Sequence, residues 1–201
     1  NTLAVGGVTS DVGDNFDVYY QTNVSAINLA GGGTATGIGS TYHLTVVVKF
    51  SETKISGSPG STVAQFGEGT GGDEYFEMWL TPAAGNNLAG TGFGADSGGI
   101  LLLAGSSVTV DYGIFGVNPV AGLQDFDQVG ANDYAGIDSV VGTGSTTVSA
   151  EINYVNSAYF RGVNAGDVIT LLNGDVQTTA PFGLIDPSQQ FWDANLNAYV
   201  N

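Results

Sequence analysis

Thiols are missing altogether from this chain, and cations nearly so: it has no cysteine, one histidine, one methionine and three basic residues, Lys49, Lys54 and Arg161, among 201. The lack of cysteine excludes a disulfide scaffold and thiol chemistry and leaves the compartment open. Nineteen acidic residues against three basic ones leave a formal net charge of −16. Such a surface cannot neutralise phosphates, which excludes nucleic acid, anionic membrane surfaces and nucleotide phosphates as partners. It favours a divalent cation, a neutral glycan or a second copy of the chain. No run approaches the ~20 apolar residues of a membrane helix. The first residues form neither a basic nor an apolar segment, so the chain reads as a soluble mature product from which any export signal has gone.

What is present is a 42% hydrophobic sequence with 32 glycines, its polarity carried by Ser, Thr and Asn. That is the composition of a secreted surface protein, not of a disordered acidic tail. The length suits one all-β domain, burying roughly 70% of the surface of its unfolded chain. Alternation with a period of two dominates. Tyr42, Leu44, Val46, Val48 and Phe50 line one face of a strand long enough for a sheet centre, with His43, Thr45, Lys49 and Ser51 opposite. Phe16, Val18 and Tyr20 repeat the pattern; so do Val108, Val110, Tyr112 and Ile114, and Val148, Ala150, Ile152 and Tyr154. The run from Val168 to Leu172 reads as one arm of a hairpin ended by Asn173-Gly174-Asp175. Weak helical patterns cover Asn153 to Arg161 and Ser188 to Leu196.

Short strands between Gly-rich turns predict an antiparallel β-sandwich, jelly-roll-like, over residues 11–201, because two half-apolar sheets must cover each other. Ala83 to Gly99 is long enough to be an ordered surface loop with a role of its own. Residues 1–10 form an extension whose Leu3, Val5 and Val8 suit a donor strand filling the sheet edge of a neighbouring copy, and Asn197 to Val200 is a second such segment.

Catalytic signatures are scarce. His43 has no sequence-local partner and reads as a strand residue facing the surface. No serine elbow motif is present. Carboxylates at Glu74, Glu77, Asp111 and Glu151 lie on or beside strands, but glycoside hydrolysis needs two at a set separation, which spacing alone does not establish. An enzyme is not expected. Oxygen-rich clusters occur at Asp11, Asp14, Asn15 and Asp17, at Glu68, Asp73, Glu74 and Glu77, and at Asp125, Asp127, Asn132 and Asp133. Calcium takes six to eight oxygen ligands and suits such loops, although none matches an EF-hand; each cluster reads equally as a solvated acidic turn. Calcium is the one cofactor these residues suggest. In Glu74 to Leu80, alternation sets Phe76, Met78 and Leu80 against Tyr75, Glu77 and Trp79. The second trio is either an outward stripe for stacking on a sugar or a partner, or part of a strand buried on both faces.

Several segments resemble the flocculation-associated PEP-CTERM proteins of bacteria: residues 12–21 (VGDNFDVYYQ), residues 86–93 (NNLAGTGF), Asn132-Asp133-Tyr134 followed by Ser139-Val140-Val141-Gly142, and Asp186-Pro187-Ser188. Their order and spacing run from about residue 11 to 192. The resemblance implies export, exosortase-type sorting and a place in the biofilm-like matrix that holds cells in flocs, with no enzymatic activity. The family's Pro-Glu-Pro motif, membrane span and basic cluster do not occur in the chain, which leaves cell attachment open. The leading expectation is a secreted matrix or filament subunit that mediates cell aggregation and assembles by strand addition, aided by calcium. The alternative is a carbohydrate-binding module that recognises exopolysaccharide through Tyr75, Glu77 and Trp79.

Overall fold

The computed structural model describes residues 2–4, 11–28, 31–57, 63–86, 89–117, 123–125, 138–140, 142–175 and 191–200. Strands follow one another almost without interruption: β1 (Thr2–Ala4), β2 (Asn15–Asn23), β3 (His43–Ser56), β4 (Val63–Glu68), β5 (Tyr75–Thr81), β6 (Ile100–Val117), β7 (Leu123–Asp125), β8 (Asp138–Val140), β9 (Gly142–Val155), β10 (Val168–Asp175), β11 (Phe191–Asp193) and β12 (Ala198–Val200). A single 3₁₀ turn, Gly94–Ser97, is the helical element among the described residues. The protein is all-β and antiparallel, with the sandwich-like layering that the alternation predicts.

The strand order refines that expectation. The main sheet runs β1-β2-β3-β4-β6-β9-β10, nearly the order of the chain. β4 and β5 share one slot between β3 and β6: β4 pairs with residues 52–56 of β3 and β5 with residues 43–49. The two are one strand line interrupted by the glycine-rich excursion at residues 69–74. Gly69 is required there, since its amide donates to the Ser51 carbonyl at 3.0 Å and a Cβ would fall 2.6 Å from the Ser51 backbone. Two small ribbons, β7-β8 and β11-β12, stand apart from this path.

Side chains of one phase fill the main core. Phe16 and Val18 of β2, Val46, Val48 and Phe50 of β3, Phe66, Phe76, Val108 and Val110, and Val148, Ala150 and Ile152 of β9 form one buried cluster. Phe16 meets Phe66 edge to face at 5.5 Å between ring centres. Register shifts in β3, β6 and β9 mark bulges, which bend strands and let a long sheet face close on its own core.

Three expectations need correction. Asn173-Gly174-Asp175 does not end the strand; it continues β10 in register with Thr146, Ser145 and Gly144 of β9. The segment 153–161 is the end of β9 and a turn in which the amides of Tyr159 and Phe160 donate to the Asn156 carbonyl, because ladder pairing outweighs a weak helical pattern. Over 191–196 the chain forms β11 and then a turn, held by Asp193 accepting from the amides of Asn195 and Leu196. At the front of the chain, Thr2–Ala4 pairs with β2 of its own domain, Leu3 standing opposite Tyr19.

Candidate functional site

Chemistry concentrates on the outer face of the main sheet, the face opposite the core. Pairing across β2, β3 and β5 aligns Asn23, Thr45 and Trp79 in one row, Gln21, Val47 and Glu77 in the next, and Tyr19, Lys49 and Tyr75 in a third. Over β2 and β3 this face is covered. Val47, Tyr75, Phe93 and Trp192 form a second apolar cluster, flanked by Tyr199. Its cover comes from two distant segments, the β11-β12 hairpin and the loop that ends in the 3₁₀ turn.

Polar side chains fasten that cover. The Gln21 side chain is 1% exposed; its amide nitrogen donates to the Gly90 carbonyl at 3.1 Å, and its oxygen accepts from the Trp192 amide at 3.2 Å. The Asn23 side chain pairs with both backbone groups of Gly85, as a strand would, at 2.9 and 2.7 Å. Tyr75 donates its hydroxyl to the Trp192 carbonyl at 2.8 Å, and burial pushes its pKa far up. The Tyr199 hydroxyl accepts from the Gly92 amide and donates to Asp96 at 2.7 Å; burial and that carboxylate push it up to about 12. The loop from Ala83 to Gly99 is thus ordered over its described residues, and its role here is to carry Phe93 and Gly94 beneath the Trp192 ring.

Tyr75 is therefore not part of an outward stripe: it stands in the expected phase, yet the hairpin buries it. Glu77 and Trp79 remain half-buried, and the Trp79 indole donates to the Glu77 carboxylate at 2.8 Å. Burial holds the Glu77 pKa above its ordinary value, against the opposing hydrogen bond from Trp79. Sequence alternation also misplaces Tyr112 and Tyr154. Asp111 is an extra residue in β6 and Asn153 an extra residue in β9, so the phase slips by one and both rings, each 43% exposed, leave the core side. Tyr154 then stands opposite Ala104, which stands opposite Glu77, so the three share one row on the open half of the outer face. Beside them lies another extra residue, Ser106 of β6, whose hydroxyl accepts from Asn153 at 2.9 Å.

The first acidic cluster is engaged by the protein itself. Asp14 caps the turn at the Asp11 amide; Asn15 accepts from the Thr53 hydroxyl and the Thr70 amide; Asp17 accepts from Ser51 and pairs with Lys49 at 3.1 Å. Among the described residues no three acidic or imidazole side chains converge as a metal-binding group. Asp125 lies in β7 opposite Asp138. Asp127, Asn132 and Asp133 lie outside the described residues, as do Val5 and Val8. His43 stands half-buried at the start of β3, opposite Thr81.

Sequence reasoning missed one further group. Glu52 and Lys54 continue the core phase of β3 and are buried. The Glu52 carboxyl sits against Gly113, where a Cβ would come within 2.8 Å of it, and accepts from Thr146 at 3.4 Å. Burial pushes its pKa up to about 7, against the opposing hydrogen bond from Thr146.

No family model matches the chain, and neither a curated protein nor a solved structure matches it. Among the described residues no helix is long and apolar enough to cross a membrane.

Proposed function

We propose that this chain is an exported, non-enzymatic β module of an extracellular matrix or filament, and that copies join by exchanging their first strands. The observation that carries the reading is the rim formed by β1 and β2. β1 supplies three paired positions, Thr2 to Ala4, to a β2 of nine residues, and among the described residues no other strand pairs with that side of β2. Backbone ladders are indifferent to which copy supplies the strand, so an identical set of bonds forms when β1 docks on the neighbouring copy. Leu3 is the donor position paired at that rim. The resemblance to exported flocculation proteins agrees with this role.

Sedimentation velocity tests the reading. The intact chain should form a concentration-dependent series of oligomers, and a variant lacking residues 1–10 should stay monomeric and bind a synthetic peptide of those ten residues. A truncated chain that assembles as readily as the intact one would remove strand exchange from the account.

Assembly must also overcome self-repulsion at a net charge of −16. Millimolar calcium is expected to raise the average mass and a chelator to lower it. If potassium chloride at equal ionic strength has the same effect, screening replaces a calcium site as the cause.

A further inference from the structure

From the open half of the outer face we infer a binding site for a neutral polysaccharide, built on the rings of Trp79 and Tyr154 with Ala104 as the floor between them. The site goes beyond the assembly reading and does not depend on it: the strand-exchange rim lies along β2, whereas this row lies on β5, β6 and β9.

Geometry carries the inference. Glu77, Ala104 and Tyr154 are direct neighbours across three strands, and Trp79 lies two residues beyond Glu77 on the same face. Two strand spacings, about 10 Å, therefore separate the strands that bear the two aromatic side chains, with a methyl group between. A sugar chain laid across the strands would rest the apolar faces of its rings on both side chains at once. The Trp79 ring is fixed by its bond to Glu77, so little freedom is lost when a ligand docks.

Tyr154 reaches this face through a costly local arrangement. Two neighbouring extra residues, Ser106 and Asn153, break the ladder and bond to each other, and Gly105 must lack a side chain because a Cβ there would fall 2.4 Å from the Glu151 carbonyl oxygen. Bulges of this kind re-aim side chains beside binding sites. Here they turn a tyrosine that alternation would bury into one that is 43% exposed, and they place an amide and a hydroxyl beside it.

Charge selects the ligand. The face carries Glu77 and no cation within this row, in a chain of net charge −16, so an anionic glycan is repelled and a neutral one is not.

Affinity electrophoresis of the intact chain in gels containing hydroxyethylcellulose, galactomannan, laminarin or dextran, with alginate as the anionic control, tests the site. At least one neutral polymer should retard the protein. Trp79→Ala and Tyr154→Ala should each weaken that retardation about tenfold or more. Tyr154→Phe should retain it, Ala104→Gln should lose it by filling the floor without removing a ring, and Tyr112→Ala should migrate as the parent does. No retardation in any of the four neutral gels, retardation by alginate alone, or undiminished retardation of the Trp79→Ala/Tyr154→Ala double variant would overturn the site.

Discussion

Gly94→Ala should destabilise the protein by about 2–4 kcal/mol, roughly half from strain and half from a collision. Gly94 has φ +59, in the left-handed region, where an alanine Cβ crowds the following carbonyl. That Cβ would also lie 2.0 Å from Cδ1 of Trp192, so the indole must leave its place on the sheet. Besides this packing, the hairpin that carries Trp192 is fastened by polar contacts that include the Gln21 side chain, the Tyr75 hydroxyl, the Tyr199 hydroxyl on Gly92 and Asp96, and the Asn195 side-chain amide on the Asp73 carbonyl. Urea denaturation of the four members of a cycle checks the account. Trp192→Ala alone should cost about 3–5 kcal/mol, as large buried aromatics do when truncated. The double variant should cost less than the sum, because the ring that collides with the added methyl group has gone. Strict additivity would show that the mutations act through separate sites.

Glu52→Gln should stabilise the protein at pH 8 by about 3 kcal/mol and leave it unchanged at pH 4. The folded-state pKa lies at about 7 against an ordinary 4.5, because burial disfavours the charged form. Below 4.5 both folded and unfolded chains hold the proton, and the group imposes no penalty. As the pH rises from 4.5 to about 7 the unfolded chain loses that proton first, so stability falls; above 7 the deficit is complete and level. Lys54 on the same strand face and Glu68 directly opposite on β4 are the charged neighbours, and the substitution leaves both in place. Glutamine keeps an oxygen for Thr146 and has nearly the same shape. The urea midpoint at pH 8 should therefore rise by about 1–2 M. Equal midpoints at pH 8, or a gap that widens towards pH 4, would mean that Glu52 ionises freely in the fold.

Residues 43–50 illustrate what can be read in advance. Leu44, Val46, Val48 and Phe50 are buried as alternation predicts, because a strand whose pairing is regular preserves its phase. The same stretch also illustrates what cannot. Thr45 and Val47 occupy the phase assigned to solvent and are buried nonetheless; Val47 packs with Phe93 and Trp192, which no local pattern connects to β3. Tyr75 keeps its phase and is buried by the same cover. Tyr112 and Tyr154 do depart from the predicted phase: one inserted residue reverses the phase of every later side chain, and alternation carries no mark of it. A faint mark does exist in Gly105-Ser106-Ser107, where a glycine and two small polar residues interrupt an apolar run and point to close backbone approach. For the metal clusters, spacing supplies the oxygen atoms but not their direction, and Asn15 and Asp17 turn theirs toward neighbouring loops and strands.

The carboxamide of Gln21 has a consequence for how the molecule comes into being. It joins residue 90 and residue 192, separations of 69 and 171 positions. A ribosome delivers those partners in sequence, so the early strands must wait, their polar side still wet, until almost everything else has emerged. The last tryptophan to arrive is the keystone that dries that side.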